Sequence, residues 1–180
     1  MNRRNFLKIT GGGIVLAAGS TALFAATRTP EAALAPWDMA GSYADARMNA
    51  LSHAILAPNP HNRQPWIVRL DGDDGLTLFF DTDKQLPHTD PFDRQLTIGL
   101  GCFLELLRMA ARADGFDTDV TLFPEGEAME GLDQRPVAHV TFRSADAVAD
   151  PLAAHILTRR SNKEPFDITR PCLPTPWTAS

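Results

Sequence analysis

Residues 57–66, APNPHNRQPW, decide how the rest of the chain reads. Proline has no amide hydrogen and drives the residue before it out of helical geometry, so Pro58 and Pro60 end any helix that precedes them. The stretch is therefore a shaped loop. It carries His61, Asn62, Arg63 and Gln64, and Pro65-Trp66 leads into the alternating WIVRL. Asn and Gln side chains both donate and accept, which suits the mixed edge of a flat heteroaromatic ring. A polar connection whose amides bond nearby backbone is the plainer alternative.

Upstream, Ser42-Tyr43-Ala44-Asp45 has the capping-box arrangement. Ala44, Met48, Leu51 and Ile55 then recur at helical spacing, which predicts a helix ending at the loop. His53 lies on that helix, where a polar-face or satisfied core role is the ordinary one. Downstream, Trp66, Val68 and Leu70 alternate with Ile67 and Arg69, and DGDDG separates them from LTLFFD. That is a strand-turn-strand signature. The acidic turn lacks the spaced ligands and closing Glu of a calcium loop, so it reads as a solvated turn. In KQLPHTDPFD, residues 84–93, His88, Asp90 and Asp93 have no single element to converge them on a metal, and Pro87 and Pro91 make the segment a turn before a helix.

That helix carries the strongest pattern in the chain: Leu96, Leu100, Phe103, Leu104, Leu107 and Ala111 share one face, and Gly115 supplies the stop. Gly99 and Gly101 each weaken it by about 1 kcal/mol relative to Ala, so close packing against a sheet or another helix is expected to offset the loss, with close approach of a flat ring ligand as the alternative. Two further alternating runs follow. Val120 and Leu122 mark one strand, and Ala138, Val140 and Phe142 mark the next, with His139 on the opposite face. The expected fold class is α+β, a mainly antiparallel sheet flanked by helices.

At 180 residues with 44% hydrophobic content, the chain is long enough for one domain with a core. A net charge of -5, with no cluster of Lys and Arg long enough to track phosphates, argues against a nucleic-acid surface. Cys102 and Cys172 are too few for a disulfide framework. Cys102 falls in the apolar helical pattern as a small core residue, and Cys172 sits among prolines as an incidental thiol. The first residues, MNRRNFLK, place Arg3-Arg4 ahead of an uncharged Gly/Ala-rich run that ends at Arg28. This looks like a twin-arginine export signal, with the alternative of an uncleaved membrane anchor. Residues 1–27 hold three basic residues and no acid, so the remainder carries 14 basic against 22 acidic residues, a charge of -8. The organisation expected is a signal peptide over 1–27, a Pro/Ala-rich linker over 28–41, a domain over 42–166 and an irregular tail over 167–180. The implied location is the periplasm or cell envelope, with the twin-arginine export machinery as a partner.

Near the other end, Asp150-Pro151 can open a helix carrying Leu152, Ile156 and Leu157 that runs into Arg159-Arg160-Ser161-Asn162-Lys163 before Pro165. Three cations and a hydroxyl within five residues suit a phosphate, since Arg grips it through two donors and Lys adds a point charge. A basic helix C-terminus complementing the helix dipole is the alternative.

Both motifs resemble those of the FMN-dependent nitroreductase family. Pro58, Asn62, Gln64, Pro65 and Trp66 match its S-x-x-N-x-Q-P-W loop, with Asn59 where that family has Ser. Arg159, Ser161 and Lys163 match its R-x-S-x-[RK] phosphate motif, with Arg160 adjacent and Phe166 one residue later than the family's aromatic. The resemblance implies that Asn59, Asn62 and Gln64 contact the flavin ring and that Arg159, Arg160, Ser161 and Lys163 hold the FMN phosphate. The order of the two motifs is that of the twin-arginine-exported fused-dimer (Acg-like) branch, with this chain as its first half. A truncated chain is therefore an expectation, with FMN bound weakly unless two copies pair as a homodimer. The implied activity is FMN-dependent oxidoreduction, with NAD(P)H or another electron donor and a small aromatic nitro compound or quinone as acceptor. No side chain stands out as a catalytic acid, base or nucleophile. A flavin-binding or sequestering protein without turnover and an inactive fragment are the alternatives.

Overall fold

The computed structural model describes residues 19–28, 31–127, 131–165 and 167–169. Arg3, Arg4, Cys172 and Phe166 fall outside them, as does most of the expected signal; residues 19–27 are helical and exposed. Among the described residues no helix is long and apolar enough to cross a membrane.

Besides the helical 19–27 stretch, the described residues form the helices α1 (Glu31–Met39), α2 (Ala46–Ala54) and α3 (Arg94–Ala113) and the strands β1 (Trp66–Asp71), β2 (Gly75–Phe80), β3 (Phe116–Leu122) and β4 (Pro136–Ser144). The strands form one sheet in the order β1-β2-β4-β3, every neighbouring pair antiparallel. The α+β expectation holds. All four strands fall where the alternating runs placed them. Alternation buries one face of β4, whereas on the edge strand β3 the alternating Val120 and Leu122 are exposed. Leu76 pairs with Val140 and Leu78 with Ala138 across the two central strands, and all four are fully buried.

Helix α3 closes over that face. Leu96, Leu100, Phe103, Leu104, Leu107 and Ala111 are all buried, and each large side chain among them stabilises the fold by about 1.5–3 kcal/mol. Trp66 of β1 packs on Phe103 with ring centroids 4.9 Å apart. Gly115, with φ +82, ends the helix and turns the chain straight into β3. The two glycines of α3 differ. A Cβ on Gly99 would lie 3.3 Å from Cβ of Asn59 and 3.4 Å from Cδ of Pro60, whereas one on Gly101 would meet nothing within 4 Å. Close packing therefore accounts for Gly99, on the 57–66 loop rather than on a sheet or another helix, and does not account for Gly101.

Asp90 and Asp93 are buried, and their carboxylates serve the backbone. Oδ2 of Asp90 accepts from the amides of Gln95 at 2.8 Å and Leu96 at 3.0 Å, capping α3. Oδ2 of Asp93 accepts from Gln85 Nε2 and the Leu132 amide, both at 2.9 Å.

Three sequence expectations are corrected. Helix α2 is capped by Asp45, whose side chain accepts from the Arg47 and Met48 amides, while the Ser42 hydroxyl donates backwards to the Met39 carbonyl. A carboxylate next to free amides at a helix N-terminus also gains from the dipole, which favours the aspartate over the serine. The 28–41 stretch, expected as a linker, carries α1 with Pro36 inside it. Finally, the segment after Asp150 forms only a short 3-10 turn, Pro151–His155, so residues 159–163 do not close an α-helix.

Candidate functional site

The loop at 57–66 begins where α2 ends. It is built with unusual backbone: His61, Asn62 and Gln64 all have positive φ, at 50, 51 and 54. Asn and His visit this left-handed region more readily than other side chains, but for Gln it costs free energy that the surrounding structure must offset. Asn59 supplies part of the offset. Its Oδ1 accepts from the Gln64 amide at 2.9 Å and its Nδ2 donates to the Ala57 carbonyl at 3.2 Å. Arg63 ties the other side of the loop to the sheet's end, donating to the carbonyls of Lys84 and Asp83.

Gln64 Nε2 donates to Asn62 Oδ1 at 2.9 Å. The two exposed side chains are thus paired and still present one donor group, Asn62 Nδ2, and one acceptor, Gln64 Oε1.

The second motif reaches this loop through two anchors. Ile156 is buried in the core, and Arg159 Nη2 donates to the Leu56 carbonyl at 2.9 Å across 103 positions of sequence. As a result Asn59, Asn62, Gln64, Arg159, Arg160, Ser161 and Lys163 all line one cleft of about 810 Å³. Every site residue singled out from sequence is thus brought together, although the Asn59 amide is engaged within the loop. Since 159–163 lies outside any helix, its cations do not complement a helix dipole. None of the three cations makes an ion pair among the described residues. Among the described residues no carboxylate lines the cleft.

Sequence reasoning missed one wall. Ala33, Pro36 and Trp37 of α1 also face the cleft, and Pro36 together with the Ala-rich composition had pointed to a tether. Arg159 Nε and Trp37 Nε1 are buried donors without an acceptor among the described residues. The other residues weighed from sequence lie elsewhere. His53 Nδ1 sits 3.0 Å from the Asn49 carbonyl within α2, His139 sits 3.2 Å from the Thr77 hydroxyl on the outer face of the sheet, and Cys102 is partly buried against the core.

No family model matches the chain. An uncharacterized protein of Mycobacterium tuberculosis strain H37Rv is 34% identical over 125 residues, covering 66% of this chain and 35% of that protein. The protein of the same strain named "Putative NAD(P)H nitroreductase acg" is 34% identical over 125 residues, covering 68% of this chain and 36% of that protein. The chain thus spans about a third of the length of the curated relatives it matches. Among solved structures, a "Putative NADH Oxidase" from Clostridium acetobutylicum aligns with a TM-score of 0.44 at 12% identity, over 59% of this chain and 80% of that one. A nitroreductase family protein from Clostridium difficile 630 aligns with a TM-score of 0.43 at 19% identity, over 66% and 82%. The sequence similarity supports kinship with the nitroreductase family.

Proposed function

We propose that this chain, kin to the nitroreductases, forms the FMN-holding part of an oxidoreductase that takes electrons from a reduced nicotinamide and passes them to a nitroaromatic or quinone. The observation that carries the reading is the meeting of the amide loop and the cationic segment in one cleft. Its volume of about 810 Å³ lies within the roughly 300–1,000 Å³ usual for cofactor and ligand sites.

The donor set fits FMN. Arg159, Arg160, Lys163 and the Ser161 hydroxyl offer charge and hydrogen bonds to a phosphate, and no carboxylate among the described residues lines the cleft to repel that anion. The Arg159 Nε donor without an acceptor is what a site completed by an oxygen anion would leave in its absence. Asn62 and Gln64 match the mixed donor and acceptor edge of the ring, and they are hydrogen-bonded to each other beside the cleft. FMN, when bound, supplies the redox chemistry; these side chains bind and orient. A second nitroreductase-like half, or a second copy of this chain as a homodimer, is proposed to close the open side of the cleft. Export by the twin-arginine route, carried by Arg3-Arg4, belongs to the same proposal.

Titration of the purified chain with FMN, followed by flavin fluorescence, tests the reading. Saturable binding that weakens in Lys163→Ala and in Gln64→Ala supports it. Binding that neither substitution alters, or no binding, contradicts it. Bleaching of the bound flavin by NADH or NADPH then separates turnover from flavin sequestration.

A further inference from the structure

Helix α1 belongs to neither sequence motif, yet it closes one side of the cleft through Trp37. The Arg160 guanidinium carbon lies 5.4 Å from the centre of the Trp37 ring. Arg160 Nη1 donates to the carbonyls of Leu157 at 2.8 Å and Arg159 at 2.7 Å. One nitrogen of the guanidinium is thereby held by backbone, and its central carbon lies over the indole ring. No hydrogen bond among the described residues uses Arg160 Nε or Nη2, and both remain for a ligand at the cleft that Arg160 lines. Trp37 Nε1 is buried, so the ring face is what the indole offers.

An unrestrained arginine loses rotamer freedom when it grips an anion, and that loss subtracts from affinity. Stacking on an aromatic face imposes the order beforehand. A Trp face attracts a guanidinium electrostatically, which an aliphatic side chain of similar bulk does not.

We propose that Trp37 is a positioning residue that holds the Arg160 guanidinium at the cleft, ready for the phosphate monoester group of the ligand. This rests on the reading of the cleft as an FMN site, but it concerns the phosphate end alone. The ring face of Trp37 matters and its volume does not.

The test measures binding of FMN, riboflavin and inorganic phosphate to the full 180-residue chain, as wild type and as W37F, W37L, R160A and W37L/R160A. Cooperative melting of each variant is checked first, and W37M replaces W37L should the latter not fold. W37L is expected to weaken FMN about two- to fivefold, the range of an exposed cation-π contact, and to leave riboflavin unchanged. W37F should stay close to wild type. In the R160A background W37L should add nothing, and inorganic phosphate should follow the same order as FMN. An equal loss for riboflavin, a W37F as impaired as W37L, or a W37L loss that persists without Arg160 would each overturn the inference. Phosphate binding with this Trp37 dependence but no FMN binding would sink the flavin reading and leave Trp37 in its role. FMN binding indifferent to Trp37 would do the reverse, and failure to bind either ligand would overturn both.

Discussion

Replacing Arg159 with Ala would remove the guanidinium that donates from Nη2 to the Leu56 carbonyl at 2.9 Å. Leu56 is buried at the end of α2, so its carbonyl would lose a partner that water replaces poorly. A hydrogen bond from a charged donor contributes about 1.5–3 kcal/mol, and the partial burial of Arg159 places this one near the lower figure. Thermal unfolding of a chain this size shifts by roughly 2–4 °C per kcal/mol, so a melting temperature lower by about 3–6 °C is expected. The second consequence is local. Without this link the 160–163 segment is no longer held beside the 57–66 loop, so Arg160 and Lys163 should become faster trypsin sites. FMN should weaken at least about tenfold, equivalent to roughly 1.4 kcal/mol, while riboflavin, lacking the phosphate, changes less. Thermal melts, timed proteolysis and parallel FMN and riboflavin titrations measure these effects. A variant with an unchanged melt and unchanged trypsin sensitivity would show that Arg159 does not join the two motifs.

The two glycines of α3 should respond in opposite ways. Gly101→Ala, entering open space, should stabilise by about 0.5–1 kcal/mol, whereas Gly99→Ala presses on Asn59 and Pro60 and should gain less in a urea melt while weakening FMN; equal gains would contradict the packing. Asp90→Ala removes a buried cap on two amides of α3 and should cost about 1–2 kcal/mol in the same assay, with Asp90→Asn losing less. Asp45 is held well below the ordinary carboxylate value of 3.8, at about 2, chiefly by its hydrogen bond to the Arg47 side chain. A folded-state value below the unfolded one gives stability that is present above pH 3.8 and is lost as pH falls toward 2. Asp45→Asn should therefore flatten the melting temperature over that window, and an unchanged acid profile would exclude Asp45 as a source.

The parts of the fold that were legible in sequence are those set by local periodicity. Leu76, Leu78, Val140 and Phe142 alternate, and Leu96 to Ala111 repeat at helical spacing, so burial of one face dictated both. Less legible was the α2 cap, because Ser42 and Asp45 both stand at acceptable positions and only the observed backbone shows which side chain meets the free amides. Helix α1 was hidden by Pro36, whose missing amide ordinarily argues against a helix interior. At the site, the chemistry of Asn62, Gln64 and the Arg159 to Lys163 run could be read residue by residue. Their meeting could not, since it depends on the burial of Ile156 and on an Arg159 hydrogen bond across 103 positions. Trp37 gave no signal at all, because its role is visible only once Arg160 lies over its ring.

A crystal structure of the chain grown with FMN measures the central claim most directly. The account predicts density in the cleft with the ring edge within hydrogen-bonding distance of Asn62 and Gln64, and the phosphate among Arg159, Arg160, Ser161 and Lys163. Flavin density seated away from either group, or crystals that exclude FMN at saturating concentration with the cleft open to solvent, would contradict it.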